Sequence, residues 1–309
     1  MPAIRLAGLR KTYGTVVAVD HLDLEVGTGE CFGLLGPNGA GKTTTIEICE
    51  GLTTADAGTV EILGRCWDRG ADAAELRERI GISLQETQLA EKLTVEETIN
   101  LFRSFYRAPR PLQAMLDAVQ LGEKRSARVG QLSGGQKQRL ALALGLVGDP
   151  DLFFLDEPST GLDPQSRRQV WDLIREFHAA ERTVILTTHY MDEAELLCDR
   201  IAIVDHGRVI ALGTPRELIA SLGAQYVVEF AVPEGAPMAE ASLKGLPGVH
   251  SAVEEAGRWR LIVAELHTVM PALLSLLETR GVPLLELSTH APTLEDVFVS
   301  LTGRHLRDG

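Results

Sequence analysis

The chain has 309 residues, 45% apolar and 24% charged, a make-up that fits a folded protein of roughly two domains and excludes a disordered or collagen-like chain. Its 30 basic and 43 acidic residues leave a net charge of −13, and with no basic block this argues against nucleic acid or anionic lipid as the main partner. No apolar run approaches the ~18 residues of a membrane span, the first residues lack the apolar stretch of a secretory signal, and Cys31, Cys49, Cys66 and Cys198 are spaced as reduced thiols of a cytosolic protein rather than as a disulfide framework.

Residues 1–35 read as short strands (AIRLAGL, VVAVDHLDLEV, ECFGLLG), the last an unbroken apolar run typical of a buried strand. A Gly-rich turn leads into the helix KTTTIEICEGL, and AAELRERI followed by GISL predicts a helix and then a strand. From about 86 to 131 the periodicity is helical (VEETINLFRSFYR, PLQAMLDAVQL), an insertion between strands. RLALALGLVG is apolar on all faces and reads as a buried helix. DLFFLDE and TVILTTH are further buried strands, separated by the amphipathic helix QSRRQVWDLIREFHAAE. Strands alternating with helices predict a parallel α/β sheet for residues 1–222. From 223 to 309 the order strand, helix, strand, strand, helix, strand predicts a small ferredoxin-like α+β domain, closed by the helix TLEDVFVSLTG.

Gly36, Pro37, Asn38, Gly39, Ala40, Gly41, Lys42 and Thr43, with Thr44 behind them, fit the phosphate-loop pattern G-x-x-x-x-G-K-[ST] in its required strand–turn–helix setting. The glycines let backbone N–H groups converge, and the following helix adds its positive end. Lys42 supplies a cation for the β- and γ-phosphates, and the Thr43 hydroxyl suits Mg²⁺. In LFFLDE the neighbours Asp156 and Glu157 point to opposite sides of the strand end. One can hold Mg²⁺ through water while the other orients an attacking water. In Leu132, Ser133, Gly134, Gly135 and Gln136 the Ser and Gln fit a capping box. The two glycines weaken the helix they open, which points to a group approaching the backbone closely.

GPNGAGKT, LSGGQ, LFFLDE, STGLD and TTH, in this order, resemble the ATP-binding subunit of ABC transporters over residues 3–222. LQET, TTHYMDEAELLCDRIAIVDHG and the closing TLEDVFVSLTG resemble the drug- and antibiotic-resistance exporter branch, the daunorubicin type. The resemblance implies a P-loop ABC ATPase fold with a parallel core sheet, an antiparallel β subdomain and a helical subdomain. It implies a head-to-tail homodimer with ATP and Mg²⁺ at the seam, each nucleotide held between the loop of one copy and LSGGQ of the other. It assigns Tyr13 to adenine stacking, Gln85 to Mg²⁺ beside Thr43 and Asp156, and Glu157 and His189 to hydrolysis. Asp163 then crosses the dimer seam. A separate integral membrane permease is the implied partner, docked on the helical insertion at the cytoplasmic face of the membrane, with a drug, antibiotic or lipid-like compound as cargo. The C-terminal domain is expected to support dimerisation or closure. Importers, and non-transport relatives acting in DNA repair or on the ribosome, share the same motifs and stand as alternatives.

Overall fold

The computed structural model describes residues 1–67, 70–83, 88–233, 235–236, 238–255 and 257–302. The chain forms two compact units, Met1–Leu212 and Gly213–Gly309. The first unit contains, in chain order, β1 (Pro2–Tyr13), β2 (Val16–Gly27), β3 (Cys31–Leu35), α1 (Lys42–Glu50), β4 (Ala57–Ile62), α2 (Gly70–Arg79), β5 (Ile80–Ser83), α3 (Val95–Arg103) and α4 (Leu112–Ala118). There follow α5 (Gly134–Gly145), β6 (Leu152–Asp156), α6 (Pro164–Ala179), β7 (Thr183–Thr187), α7 (Met191–Leu197), β8 (Arg200–Asp205) and β9 (Arg208–Gly213).

Six strands form the central sheet in the order β5-β6-β7-β3-β8-β9, with β5 through β8 pairing in parallel. β3 and β7 are buried along their whole length, as their Val, Ile, Leu and Phe content requires of strands covered on both faces. A second, antiparallel sheet runs β2-β1-β4, with alternate side chains of β1 and β2 turned inward. One apolar core joins the two sheets: Ile4, Leu6 and Leu22 from the antiparallel layer meet Phe32, Leu34, Phe154 and Ile185 of the parallel one, with Ile46 and Ile48 of α1 between. The helical insertion, α3 and α4 with two short 3-10 turns, lies between β5 and β6 as expected. A Thr94–Glu97 capping box starts α3.

The second unit contains α8 (Pro215–Ala220), β10 (Tyr226–Ala231), α9 (Glu240–Lys244), β11 (Val249–Glu255), β12 (Arg258–Val263), α10 (Leu266–Thr279), β13 (Glu286–His290) and α11 (Leu294–Thr302). Its sheet runs β11-β12-β10-β13, antiparallel throughout, which is the ferredoxin-like order. Val228, Phe230, Trp259 and Leu261 of the sheet close a core with Val269, Leu273 and Leu277 of α10. The division between the two compact units lies after Leu212. α8, capped by Thr214 and with Leu218 buried, packs against α11 of the same unit.

Glu50, the last residue of α1, is only 5% exposed. Burial, reinforced by the charges of Asp156 and Glu47, pushes its carboxyl up to about 8. An unfolded Glu releases its proton near pH 4.3, so between roughly pH 4 and 8 Glu50 holds more proton in the folded chain than in the unfolded one, and its contribution to stability falls as pH rises. Glu50→Gln is expected to flatten that slope and to be the more stable protein at pH 8, with the two converging below about pH 4; urea unfolding across this range measures it.

Candidate functional site

Thr187, at the end of β7, pairs with Asp156 of β6 on one side and with Leu34 of β3 on the other. Three adjacent parallel strands therefore stop at one level, and the segments that follow them share one edge of the sheet. β3 delivers the glycine-rich loop, β6 the acidic pair and β7 the Thr187–Thr188–His189 run. This is the carboxyl edge at which open α/β sheets bind ligands.

The loop is shaped by close backbone packing. Gly41 caps α1 in the left-handed region (φ 99°), and a Cβ there would fall 2.1 Å from the Ala18 carbonyl. Only glycine fits such a corner. No side chain caps the start of α1, which leaves the positive end of its dipole at the end of the loop. Ala40 N–H donates to Pro37 O (3.1 Å) and Gly207 N–H to Ala40 O (2.9 Å), tying the loop to the turn between β8 and β9. Lys42 is 7% exposed; its Nζ donates to Gly36 O (2.7 Å) and Pro37 O (3.0 Å). Burial pulls the ammonium below its usual range, while the charges of Glu157 and Asp156 act to keep it protonated. Thr43 and Asn38 are exposed, and Thr44 is half-buried.

Across from the loop, Asp156 Oδ1 accepts a hydrogen bond from the Thr187 hydroxyl. Glu157 occupies the left-handed region (φ 49°), unusual for a residue with a Cβ. Its N–H is held by the carbonyl and hydroxyl of Thr187, each at 3.1 Å. Its carboxylate meets His189 Nε2 through Oε1 and accepts the Thr160 hydroxyl at 3.2 Å through Oε2. Burial pushes the Glu157 carboxyl up, but His189, Thr160 and Lys42 together leave it below the usual carboxylate range. It therefore stands ionised beside a histidine.

The oxygen-only donor set of Thr43 and Asp156 fits a hard cation that keeps most of its shell as water or phosphate, which is the preference of Mg²⁺. Gln85 lies outside the described residues. Tyr13 closes β1, 48% exposed, with Lys11 Nζ 5.4 Å from its ring centroid.

The structure thus brings together the loop, Asp156, Glu157 and His189. The signature residues bond to one another and, at Gly135, abut α6. Ser133 caps α5, accepting Gln136 N–H at 3.3 Å, while Gln136 Oε1 accepts Ser133 N–H at 3.0 Å; Leu132 is buried beneath. The two glycines have separate reasons. A Cβ at Gly134 would meet nothing within 4 Å, so that side is open, whereas a Cβ at Gly135 would fall 2.3 Å from Ser166 Oγ on α6. Close approach is thus internal at Gly135, and only Gly134 leaves bare backbone facing outward. Asp163 caps α6 by accepting the N–H groups of Gln165 and Ser166 (3.0 Å each) and the Ser166 hydroxyl (2.7 Å), which hold its carboxyl below the usual range. Sequence reading missed Thr187, Thr160 and Ser166. Thr187 could have been found in the TTH run and Ser166 from its place three residues after a capping Asp.

A family model described as ABC transporter matches residues 19–160, and one described as the C-terminal domain of DrrA1-3-like ATP-binding proteins matches residues 213–302. Among curated proteins, the Nod factor export ATP-binding protein I of Ralstonia nicotianae is 39% identical over 314 residues, covering 99% of this chain and 96% of the relative. Its namesake from Rhizobium sp. (strain N33) is 40% identical, covering 98% of each. Among solved structures, an ATP-binding subunit of an ABC transporter superposes with a TM-score of 0.65 at 28% identity, covering 72% of this chain and 93% of that one. A dimeric ATP-binding cassette in a post-hydrolysis state with ADP and Pi superposes with a TM-score of 0.62 at 26% identity, covering 68% and 98%.

The contact between α5 and α6 is directly testable. Gly135→Ala forces its methyl into Ser166 and is expected to destabilise the fold by about 1–3 kcal/mol. Adding Ser166→Gly should recover a large part of that loss, and a double-mutant cycle from denaturant unfolding measures the coupling.

Proposed function

The chain belongs to the exporter-type ATP-binding subunits of ABC transporters, a family of ATPases, and we propose that it hydrolyses ATP at the edge formed by β3, β6 and β7 to drive export through a separate membrane subunit. The observation that carries this reading is the Glu157–His189 pair beside the Lys42 loop. An ionised carboxylate in hydrogen-bond contact with an imidazole is equipped to orient a water and take its proton as the water attacks. The loop N–H groups, the α1 dipole and Lys42 would take up the charge of the β- and γ-phosphates. Phosphate oxygens would replace the Gly36 and Pro37 carbonyls as partners of the ammonium. Thr43 and Asp156 would hold Mg²⁺, whose contribution is to neutralise phosphate charge. Tyr13, at the rim of the first unit, offers an exposed ring for the adenine.

The signature supports a two-chain reading. Gly134 presents open backbone at the start of α5, with the capping Ser133 hydroxyl next to it, and the same chain's loop makes none of the described contacts there. A second copy turned head to tail would bring its γ-phosphate to this helix start and complete each pocket. Closure then follows from ATP binding both copies at once, which gives one conformation the tighter affinity.

No described helix is long and apolar enough to cross a membrane. Phe105 and Leu101, 68% and 46% exposed, with Phe102 edge-on to Phe105, form an apolar outcrop on the helical insertion that suits docking to a permease on the cytoplasmic face. The relatives' names favour export over import or a role on DNA or the ribosome. They add Nod factor to the drug, antibiotic and lipid-like compounds that the permease would select.

Lys42→Ala is expected to weaken ATP binding at least tenfold by calorimetry, the scale of one lost charged contact; unchanged affinity refutes the loop assignment. Glu157→Gln is expected to bind ATP, to lose at least a hundredfold in steady-state turnover, and to accumulate as a dimer by light scattering; rapid turnover by this variant refutes the hydrolytic role.

A further inference from the structure

Glu193, on α7, is fully buried, and the hydrolytic reading gives it no task. A carboxylate inside a protein is costly to desolvate, and an apolar residue of similar size would pack there more cheaply. Burial does push its carboxyl up, against the stabilising hydroxyls of Thr188 and Ser159 and the Trp171 indole.

Its surroundings explain where such a group would act. Its Oε1 accepts the Trp171 Nε1–H of α6 at 2.6 Å. Thr188, 1% exposed, immediately precedes His189; Ser159, fully buried, follows Glu157 by two positions. One carboxylate thus faces α6, the segment after β7 and the segment after β6. The last two are the segments that carry His189 and Glu157. Glu193 Oε2 and Ser159 Oγ are both sealed from solvent, so the carboxylate's polar neighbours are side chains of these segments. A second tie runs in parallel: Arg167, one helical turn before Trp171 on α6, lies 4.0 Å over the Tyr190 ring. Thr188 Oγ1 in turn accepts Tyr190 N–H at 3.0 Å.

We infer that Glu193 is a positioning residue for hydrolysis: through Trp171, Thr188 and Ser159 it fixes the segments after β6 and β7 against α6, and so holds the His189 imidazole on the Glu157 carboxylate. This rests on the hydrolytic reading of Glu157 and His189. The carboxylate is fully buried behind the segments that carry Glu157 and His189, so its effect belongs to turnover rather than to ATP binding.

The test uses the full chain with steady-state ATPase assays, fluorescent-nucleotide binding and thermal unfolding. Glu193→Ala is expected to lower kcat by roughly tenfold or more while nucleotide Kd moves less than about threefold. Glu193→Gln, which keeps an acceptor for Trp171 and offers an amide to the hydroxyls, is expected to recover kcat to within about threefold of the wild type. Trp171→Phe keeps the ring and removes only the N–H; it should lower kcat with Kd unchanged, and it decides the matter if Glu193→Ala does not fold. A folded Glu193→Ala with wild-type kcat, a Trp171→Phe with wild-type kcat, or a kcat loss matched by an equal loss of nucleotide affinity would overturn the inference. Glu157→Gln run alongside separates the two readings. If it turns over normally, the hydrolytic assignment itself falls; if it is inactive while the Glu193 and Trp171 variants are wild-type, only the positioning role falls.

Discussion

The level ending of β6, β7 and β3 is the constraint on which the rest of the molecule depends. Parallel pairing puts Thr187 between Asp156 and Leu34, so one threonine registers the acidic pair against the strand that feeds the loop. Thr187 also holds the Asp156 carboxylate through its hydroxyl and the Glu157 N–H through both its oxygens. The opposite charges of Lys42 and the acidic pair meet at this edge because the backbone brings them there. There Lys42 and Glu157 each favour the ionised form of the other, more strongly than the same charges would in water.

Around this edge the fold uses small, specific corrections. Glu157 is turned into the left-handed region so that its side chain reaches His189 while its N–H stays on Thr187. The cost of such backbone strain is of the order of 1–3 kcal/mol and is carried by the surrounding strands. α6 connects this edge to the signature: its first turn, capped by Asp163, presses on Gly135, and two turns later Trp171 reaches Glu193. One helix therefore touches both the start of α5 and the buried carboxylate of α7.

Much of this was legible in the residues themselves. The loop, the acidic pair and the buried apolar strands announce themselves through spacing and composition, and the C-terminal order of elements was readable from alternation alone. β4, β8, β9, α7 and α8 were passed over. The edge strand β4 exposes half its residues, α7 and α8 are each under two turns long, and short elements lack the periods that betray them. The contact that joins α8 to the second unit was equally hidden, since its partner α11 lies some 75 residues away in sequence, a contact no local pattern encodes. The reason for Gly135 was also hidden: the spacing showed that something must come close, but not that the visitor is Ser166 of the same chain. Glu193 was invisible because nothing in a lone acidic residue distinguishes a solvated helix face from a buried junction.

Ser166 has a consequence for assemblies of unlike subunits. It leans on Gly135 while donating to Asp163, so the helix that carries the signature and the loop that carries Asp163 form one stiff corner. In a head-to-tail pair of the kind proposed, that corner serves a pocket built mainly by the other chain. Damage to it in one partner would then be felt by its neighbour's nucleotide first, and a mixed assembly of intact and altered chains would fail in a lopsided way, with the intact copy idling and the altered one still able to fire.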